Sequence, residues 1–173
     1  MDPFESARLC LRPLRPEDEA LYCALYTDPG VMAHIGAPLT HAAASRQFAE
    51  ACRRNGDPAG VQRRWAVIER TSGTRLGLLA VLGDGADPGN VELGVMLLPA
   101  AHGRGFAREL NDAVIAEAFR SGGWGLRRVW ARHAAGHGAA AGALGASGFV
   151  PATDPGDAVI VAITADRWRA RHG

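Results

Sequence analysis

Cysteine is scarce in this chain of 173 residues: Cys10, Cys23 and Cys52 are odd in number, stand far apart and include no Cys-x-x-Cys pair. That pattern supports neither a disulfide framework nor a zinc site, and it points to a reducing compartment. No apolar run approaches the ~20 residues of a membrane span. The opening Met1-Asp2-Pro3-Phe4-Glu5 is acidic, unlike a secretory signal, so the expected location is the cytoplasm. An excess of one charge is also lacking, with 19 Lys+Arg against 18 Asp+Glu. No overall basic field exists to hold nucleic acid or an anionic membrane, and function is expected in a pocket, without a metal. Two phosphate-binding patterns are missing as well. There is no Gly-x-x-x-x-Gly-Lys-Ser/Thr loop, and Gly103-x-Gly105 lacks the third glycine of a dinucleotide fingerprint.

What is present is enough apolar material, 47% of residues, to fill one core, so a single domain over 1–173 is expected. Arg8-Leu9-Cys10-Leu11-Arg12 alternates as a half-buried strand does, and Pro13 and Pro16 close it. Glu17 to Tyr26 carries apolar residues at helical spacing and ends at Asp28-Pro29-Gly30; Thr40 caps a second helix from His41 to about Arg54. Strands at 65–69, 75–82 and 91–98, joined at Ser72-Gly73 and Asp87-Pro88-Gly89-Asn90, predict an antiparallel meander. A helix from about Arg104 to Arg120 places Phe106, Leu110, Val114 and Ala118 on one stripe, and 127–132 then forms a strand parallel to 91–98 through a right-handed crossover. An alanine-rich helix at 139–146 and strands at 148–150 and 158–163 complete the order. The sum is an α/β (α+β) fold: a mixed, mostly antiparallel sheet of about six to seven strands flanked by helices.

The most informative stretch runs from strand 91–98 through His102-Gly103-Arg104-Gly105-Phe106-Ala107 into the long helix. The first amides of a helix lack intrahelical acceptors, and positions 99 to 103 hold no Ser, Thr, Asp or Asn to receive them. Glycines at 103 and 105 permit close approach of a diphosphate, the helix dipole favours an anion, and Arg104 and Arg108 add positive charge. The alternative is a tight strand-to-helix turn that holds nothing.

The order of elements, Glu92-Leu93-Gly94 ahead of His102-Gly103-Arg104-Gly105-Phe106-Ala107, and Gly148-Phe149 further on resemble the GNAT superfamily of acyl-CoA-dependent N-acetyltransferases over nearly the whole chain. The opening Leu11-Arg12-Pro13-Leu14-Arg15-Pro16-Glu17-Asp18 and Asp28-Pro29-Gly30-Val31-Met32 are most similar to the ribosomal-protein N-terminal acetyltransferase branch. The resemblance implies acetyl-CoA as co-substrate, its pyrophosphate on the backbone of His102, Gly103, Arg104, Gly105, Phe106, Ala107 and Arg108. It implies a pantetheine arm along Val95, Met96 and Leu97, in a gap where strands 91–98 and 127–132 splay apart. His102 departs from the family's usual Gln or Arg, although an imidazole can still donate to an anion. Counting back from Gly148-Phe149, the family's Asn falls on His137 and its frequent Ser on Ala140, so a general acid is missing. The leaving thiol, with a pKa of about 8.5, tolerates that loss, and His137 is a partial substitute or a solvated loop residue.

Acyl transfer needs a neutral amine, and an alkylamine of pKa ~10.4 is neutral in only about one molecule in a few thousand at pH 7. Glu92 shares a strand face with the small Gly94 and the flexible Met96, which makes it the candidate catalytic base. Its competing role is a structural pair with an arginine. An α-amine, with pKa of about 7.7–8.0, requires less help. The expected reaction is direct attack of the amine on the thioester in a ternary complex, with a peptide or protein N-terminus or a small-molecule amine as acceptor. The protein is expected as a monomer or homodimer, and the cysteines as core thiols. His34 and Trp65 are candidates to line the acceptor side, or else a surface loop residue and a core aromatic. The alternative function is a non-catalytic acyl-CoA-binding module.

Overall fold

Strand alternation and turn chemistry resolve, in a computed structural model that describes residues 2–57, 62–83, 85–153 and 158–172, into one sheet of eight strands in the order β1-β2-β3-β4-β5-β6-β8-β7. The strands are β1 (Phe4–Glu5), β2 (Leu9–Pro13), β3 (Gln62–Glu69), β4 (Arg75–Leu82), β5 (Asn90–Leu97), β6 (Arg128–Ala134), β7 (Val150–Thr153) and β8 (Ala158–Thr164). Met1 of the acidic opening segment and Gly173 lie outside the described residues. The count exceeds the expected range by β1, a two-residue strand too short to leave an alternation pattern. Pairing is antiparallel except between β5 and β6, which the crossover helix makes parallel.

The helices are α1 (Glu19–Thr27), α2 (Pro29–Met32), α3 (His41–Asn55), α4 (Phe106–Phe119), α5 (Gly138–Ala146) and α6 (Ala165–His172). Thr40 caps α3 as its sequence predicts, its hydroxyl accepting from the Ala43 amide at 3.3 Å. The expected helix start at Glu17 is different: Pro16–Asp18 is a 3₁₀ turn, because the Asp18 side chain is drawn inward. Its carboxylate is fully buried and accepts from Arg12 Nη1 at 2.7 Å, Arg12 Nη2 at 2.9 Å, the Arg15 amide at 2.9 Å and Arg75 Nε at 3.0 Å. Asp28-Pro29-Gly30 stops α1 and also starts α2, since Asp28 Oδ1 accepts from the amides of Gly30 and Val31.

Alternation along the strands separates two cores, one on each face of the sheet. On one face Leu11, Trp65, Leu79, Leu93 and Val129 pack with the apolar stripe of α4, Leu110, Val114 and Ile115. On the other, Ala66 and Leu78 pack with Leu21, Tyr22 and Leu25 of α1 and Phe48 of α3, and Met96 of β5 joins them. Burying such side chains contributes roughly 1.5–3 kcal/mol each, which fixes the sheet between the helical layers and leaves loops free to carry chemistry. No helix among the described residues is long and apolar enough to cross a membrane.

Candidate active site

The site is built where the sheet opens. β5 and β6 pair only from Asn90↔Arg128 to Glu92↔Trp130, yet β5 continues to Leu97 and β6 to Ala134. From Glu92 onward the two strands diverge, and the gap that the family resemblance implies is present. Val95, Met96 and Leu97 stand on the β5 side of this fork, paired on their other edge with Leu79, Leu78 and Gly77 of β4.

Beyond β5 the chain passes a 3₁₀ turn, Pro99–Ala101, and enters α4 through Gly103 and Gly105, at φ 71° and 78°. Those values lie in the left-handed region that side chains other than glycine rarely adopt, and they aim successive amides to one side. Gly105 is the N-cap of α4 and provides no side-chain cap. The Glu109 amide closes the first turn on the Gly105 carbonyl at 3.2 Å, whereas the amides from Gly103 to Arg108 find no acceptor among the described residues. This arrangement of unpartnered donors at a helix N-terminus fits a diphosphate.

Glu109, in the first turn of α4, does not occupy these amides. Its carboxylate accepts instead from Ser6 Oγ at 2.6 Å and from the Arg8 amide and Arg8 Nε at 2.7 Å each. Burial works to raise this carboxyl; the Ser6 and Arg8 hydrogen bonds outweigh it and hold the group below the ordinary carboxylate range. The start of β2 is thereby tied to the start of α4, a support for the cradle that sequence spacing gave no sign of.

The flanking side chains are less free than their sequence positions suggest. Arg104 is paired with Glu69 and lies over the Phe106 ring, with its guanidinium carbon 4.6 Å from the centroid. Phe106 is itself buried between Arg104 and Arg8, so its side chain is closed off from the surface. Arg108 is the more available cation, exposed and held among the described residues only by Asp112 at 3.6 Å. His102 places Nε2 2.9 Å from the Leu97 carbonyl oxygen. A carbonyl can only accept, so that nitrogen carries the proton and is committed, leaving Nδ1 as the free ring atom. Ala107 continues the cradle through its amide.

Glu92 lies at the last paired position of the fork, and Arg132 of β6 approaches its Oε1 at 3.4 Å. The carboxylate therefore has an arginine partner, as its competing role requires, although a pair this exposed contributes only about 0–1 kcal/mol and yields readily to another cation. Gly94, on the same face, would bring an added Cβ only to 3.8 Å from the Ala80 Cβ, so the floor beside Glu92 is open.

His137 precedes α5 at the far side of the fork and stacks on His34, centroids 4.2 Å apart with an interplanar angle of 18°. His34 thus reaches across from the loop after α2 and is more than an isolated surface residue. Burial pushes the His137 imidazole below its ordinary range, and His34, His133 and His102 reinforce that direction. Among the described residues no group of histidine, cysteine or carboxylate side chains is arranged to hold a metal ion. Trp65 is core, stacked on Trp124 and only 1% exposed, and does not reach the acceptor side. Ala140 lies in the first turn of α5.

Comparison with known proteins agrees with this geometry. The profile of the acetyltransferase (GNAT) domain family matches residues 8–150. No curated protein sequence matches the chain. Among solved structures, an acetyltransferase (GNAT family) from Bacillus anthracis superposes with a TM-score of 0.79 at 16% identity, covering 95% of this chain and 99% of that one. The spermidine N-acetyltransferase from Vibrio cholerae, solved in complex with CoA and spermine, superposes with a TM-score of 0.79 at 18% identity, covering 94% and 99%. At such identity these neighbours bear on the fold alone. The fork, the uncapped helix and the match over residues 8–150 together place the chain in the GNAT acetyltransferase family.

Proposed function

We propose that the chain, as one domain over 1–173, transfers an acetyl group from acetyl-CoA to a primary amine by direct attack in a ternary complex. The observation that carries this reading is the run of unpartnered amides from Gly103 to Arg108 at the mouth of the fork. Those amides, with Arg108, would hold the diphosphate, and the free edge of β5 at Val95, Met96 and Leu97 would receive the pantetheine arm. Bound there, acetyl-CoA supplies the acetyl group as an activated thioester. Glu92 takes the proton from the acceptor ammonium, exchanging its weak contact with Arg132 for one to the incoming nitrogen. An N–H on the open edge of β5 meets the charge that develops on the carbonyl oxygen.

His137, already below its ordinary pKa range, is largely neutral near pH 7 and faces the fork as a polar contact for the cofactor. Acceptors include a peptide or protein N-terminus, as in the ribosomal-protein branch, and small-molecule amines such as polyamines, as the Vibrio cholerae neighbour suggests. The protein works in the cytoplasm as a monomer or homodimer. Acetyl-CoA consumption over a panel of alkylamines and peptides, with wild type and Glu92→Gln, tests the assignment. Loss of the base should lower turnover by about 10²–10⁴ on alkylamines and by less on α-amines. Equal loss on both would defeat the base, and coenzyme A binding without turnover on any acceptor would favour the non-catalytic acyl-CoA-binding module.

A further inference from the structure

An open groove, of about 430 Å³, lies between α1, α3 and β3 and is lined by Tyr22, Arg46, Gln47, Glu50, Arg54 and Arg64. Positive charge dominates it. Glu50 is its one carboxylate among the described residues, and that group is already bound by Arg53 and by Arg54 Nε, which hold it below the ordinary carboxylate range. Arg46 makes no ion pair among the described residues. Among the described residues Arg64 has one weak side-chain contact, Nη2 to Gln62 Oε1 at 3.4 Å, and its Nη1 is buried with no hydrogen-bond partner. A buried guanidinium N–H left unpaired is costly, and turning it outward to a ligand anion would offset that cost. Burial pushes the Tyr22 phenol up, so its hydroxyl remains protonated beside this group.

The register relates this groove to the fork. Arg64 pairs with Ala80, and Ala80 with Gly94, so all three lie on the face that carries Glu92. β3 and β5 are separated by two strand spacings, about 10 Å. Between Arg64 and the acceptor side of Glu92 this face carries Ala80, Gly94 and Leu82, all partly exposed. We propose that the pocket around Arg64 and Arg46 receives the carboxylate of the acceptor, so that the preferred substrate is an amine bearing an anionic group about 10 Å away, such as a short peptide, rather than a polyamine. Three extended residues span about 10 Å, which places a tripeptide's α-amine at Glu92 and its C-terminal carboxylate at Arg64. This rests on Glu92 marking the position of the acceptor amine.

The test is calorimetric binding of trialanine and of its C-terminal amide to the protein saturated with coenzyme A, so that no turnover is required. The free acid should bind at least tenfold more tightly than the amide. Arg64→Gln should reduce the acid to the affinity of the amide while leaving the amide unchanged, and Arg46→Gln, at the exposed rim, should lose part of the difference. Equal affinity for acid and amide, including no binding of either, overturns the proposal, as does a preference that survives Arg64→Gln or, where that variant does not fold, survives Arg46→Gln undiminished. Acetylation assayed in parallel separates the two readings. A carboxylate preference without acetyl transfer sinks the transferase assignment and leaves the pocket standing, whereas acetylation of both peptides with equal affinity does the reverse.

Discussion

Replacing Gly105 with alanine perturbs the cradle at one point and permits a worked magnitude. An alanine Cβ at this position would lie 3.6 Å from Arg8 Nη2, an ordinary contact, so the cost is conformational rather than steric. Holding an L-residue at φ near 78° costs about 1–2 kcal/mol. For a chain of this size each kcal/mol moves the melting temperature by about 2–4 °C, so Gly105→Ala without ligand should melt lower by about 2–8 °C. The second effect is on coenzyme A. If the backbone relaxes toward negative φ, the amides of Phe106 and Ala107 turn away from the diphosphate, and a loss of about 1.4 kcal/mol weakens binding tenfold.

Coenzyme A at a hundredfold excess over its dissociation constant stabilises the wild type by about 2.7 kcal/mol. At the same concentration a tenfold weaker variant gains only about 1.4 kcal/mol, so its ligand-induced rise in melting temperature should be about half that of wild type. Differential scanning fluorimetry with coenzyme A, and with ATP and NAD as controls, reads both effects. A variant that melts lower without ligand but retains the full rise with coenzyme A would refute the assignment of these amides to the diphosphate. Protection by ATP or NAD and not by coenzyme A would refute the cofactor itself.

Two further outcomes follow from titratable groups whose surroundings shift them, Asp18 and His137. Asp18→Asn removes the charge that Arg12 and Arg75 converge on and should cost about 3–5 kcal/mol in urea unfolding, as breaking a buried pair does. Burial pushes the Asp18 carboxyl up, and the Arg12, Arg15 and Arg75 hydrogen bonds outweigh it, leaving the group below its ordinary range. The stability it contributes is therefore complete above the unfolded pKa of about 3.9 and lost as pH falls through the lower folded value, so Asp18→Asn should flatten this part of the acid limb; an unchanged limb would refute it. His137, lowered by burial and then by His34, should titrate below about 6.5 in an NMR experiment, and His34→Ala should move it upward. Because the unfolded chain binds that proton more readily, the contribution favours folding above about pH 6.5 and is lost as pH falls through the interval to the folded value; an unmoved His137 resonance in His34→Ala would refute the coupling.

Local rules were sufficient for much of this protein. The Thr40 cap, the turn at Ser72-Gly73, the apolar stripe of α4 and the alternation of β5 each follow from contacts within a few residues, so they are legible in one dimension. So is the want of a capping side chain at Gly105, because capping is an interaction between near neighbours. Helix starts depended on distant partners: Glu17 lies in a 3₁₀ turn because Asp18 reaches Arg12 on β2 and Arg75 on β4.

The chain alone determined that β5, a glycine turn and α4 would follow one another with free amides between them, since those relations are local and covalently enforced. Only the folded molecule decided which charges those amides and carboxylates meet. Glu69 engages Arg104, Ser6 and Arg8 engage Glu109, Arg132 engages Glu92, and Arg64 keeps a buried N–H without a partner. Each of these follows from sheet register and long-range packing. A one-residue slip in either reverses the face on which a side chain stands, and for that reason no spacing rule along the sequence encodes them.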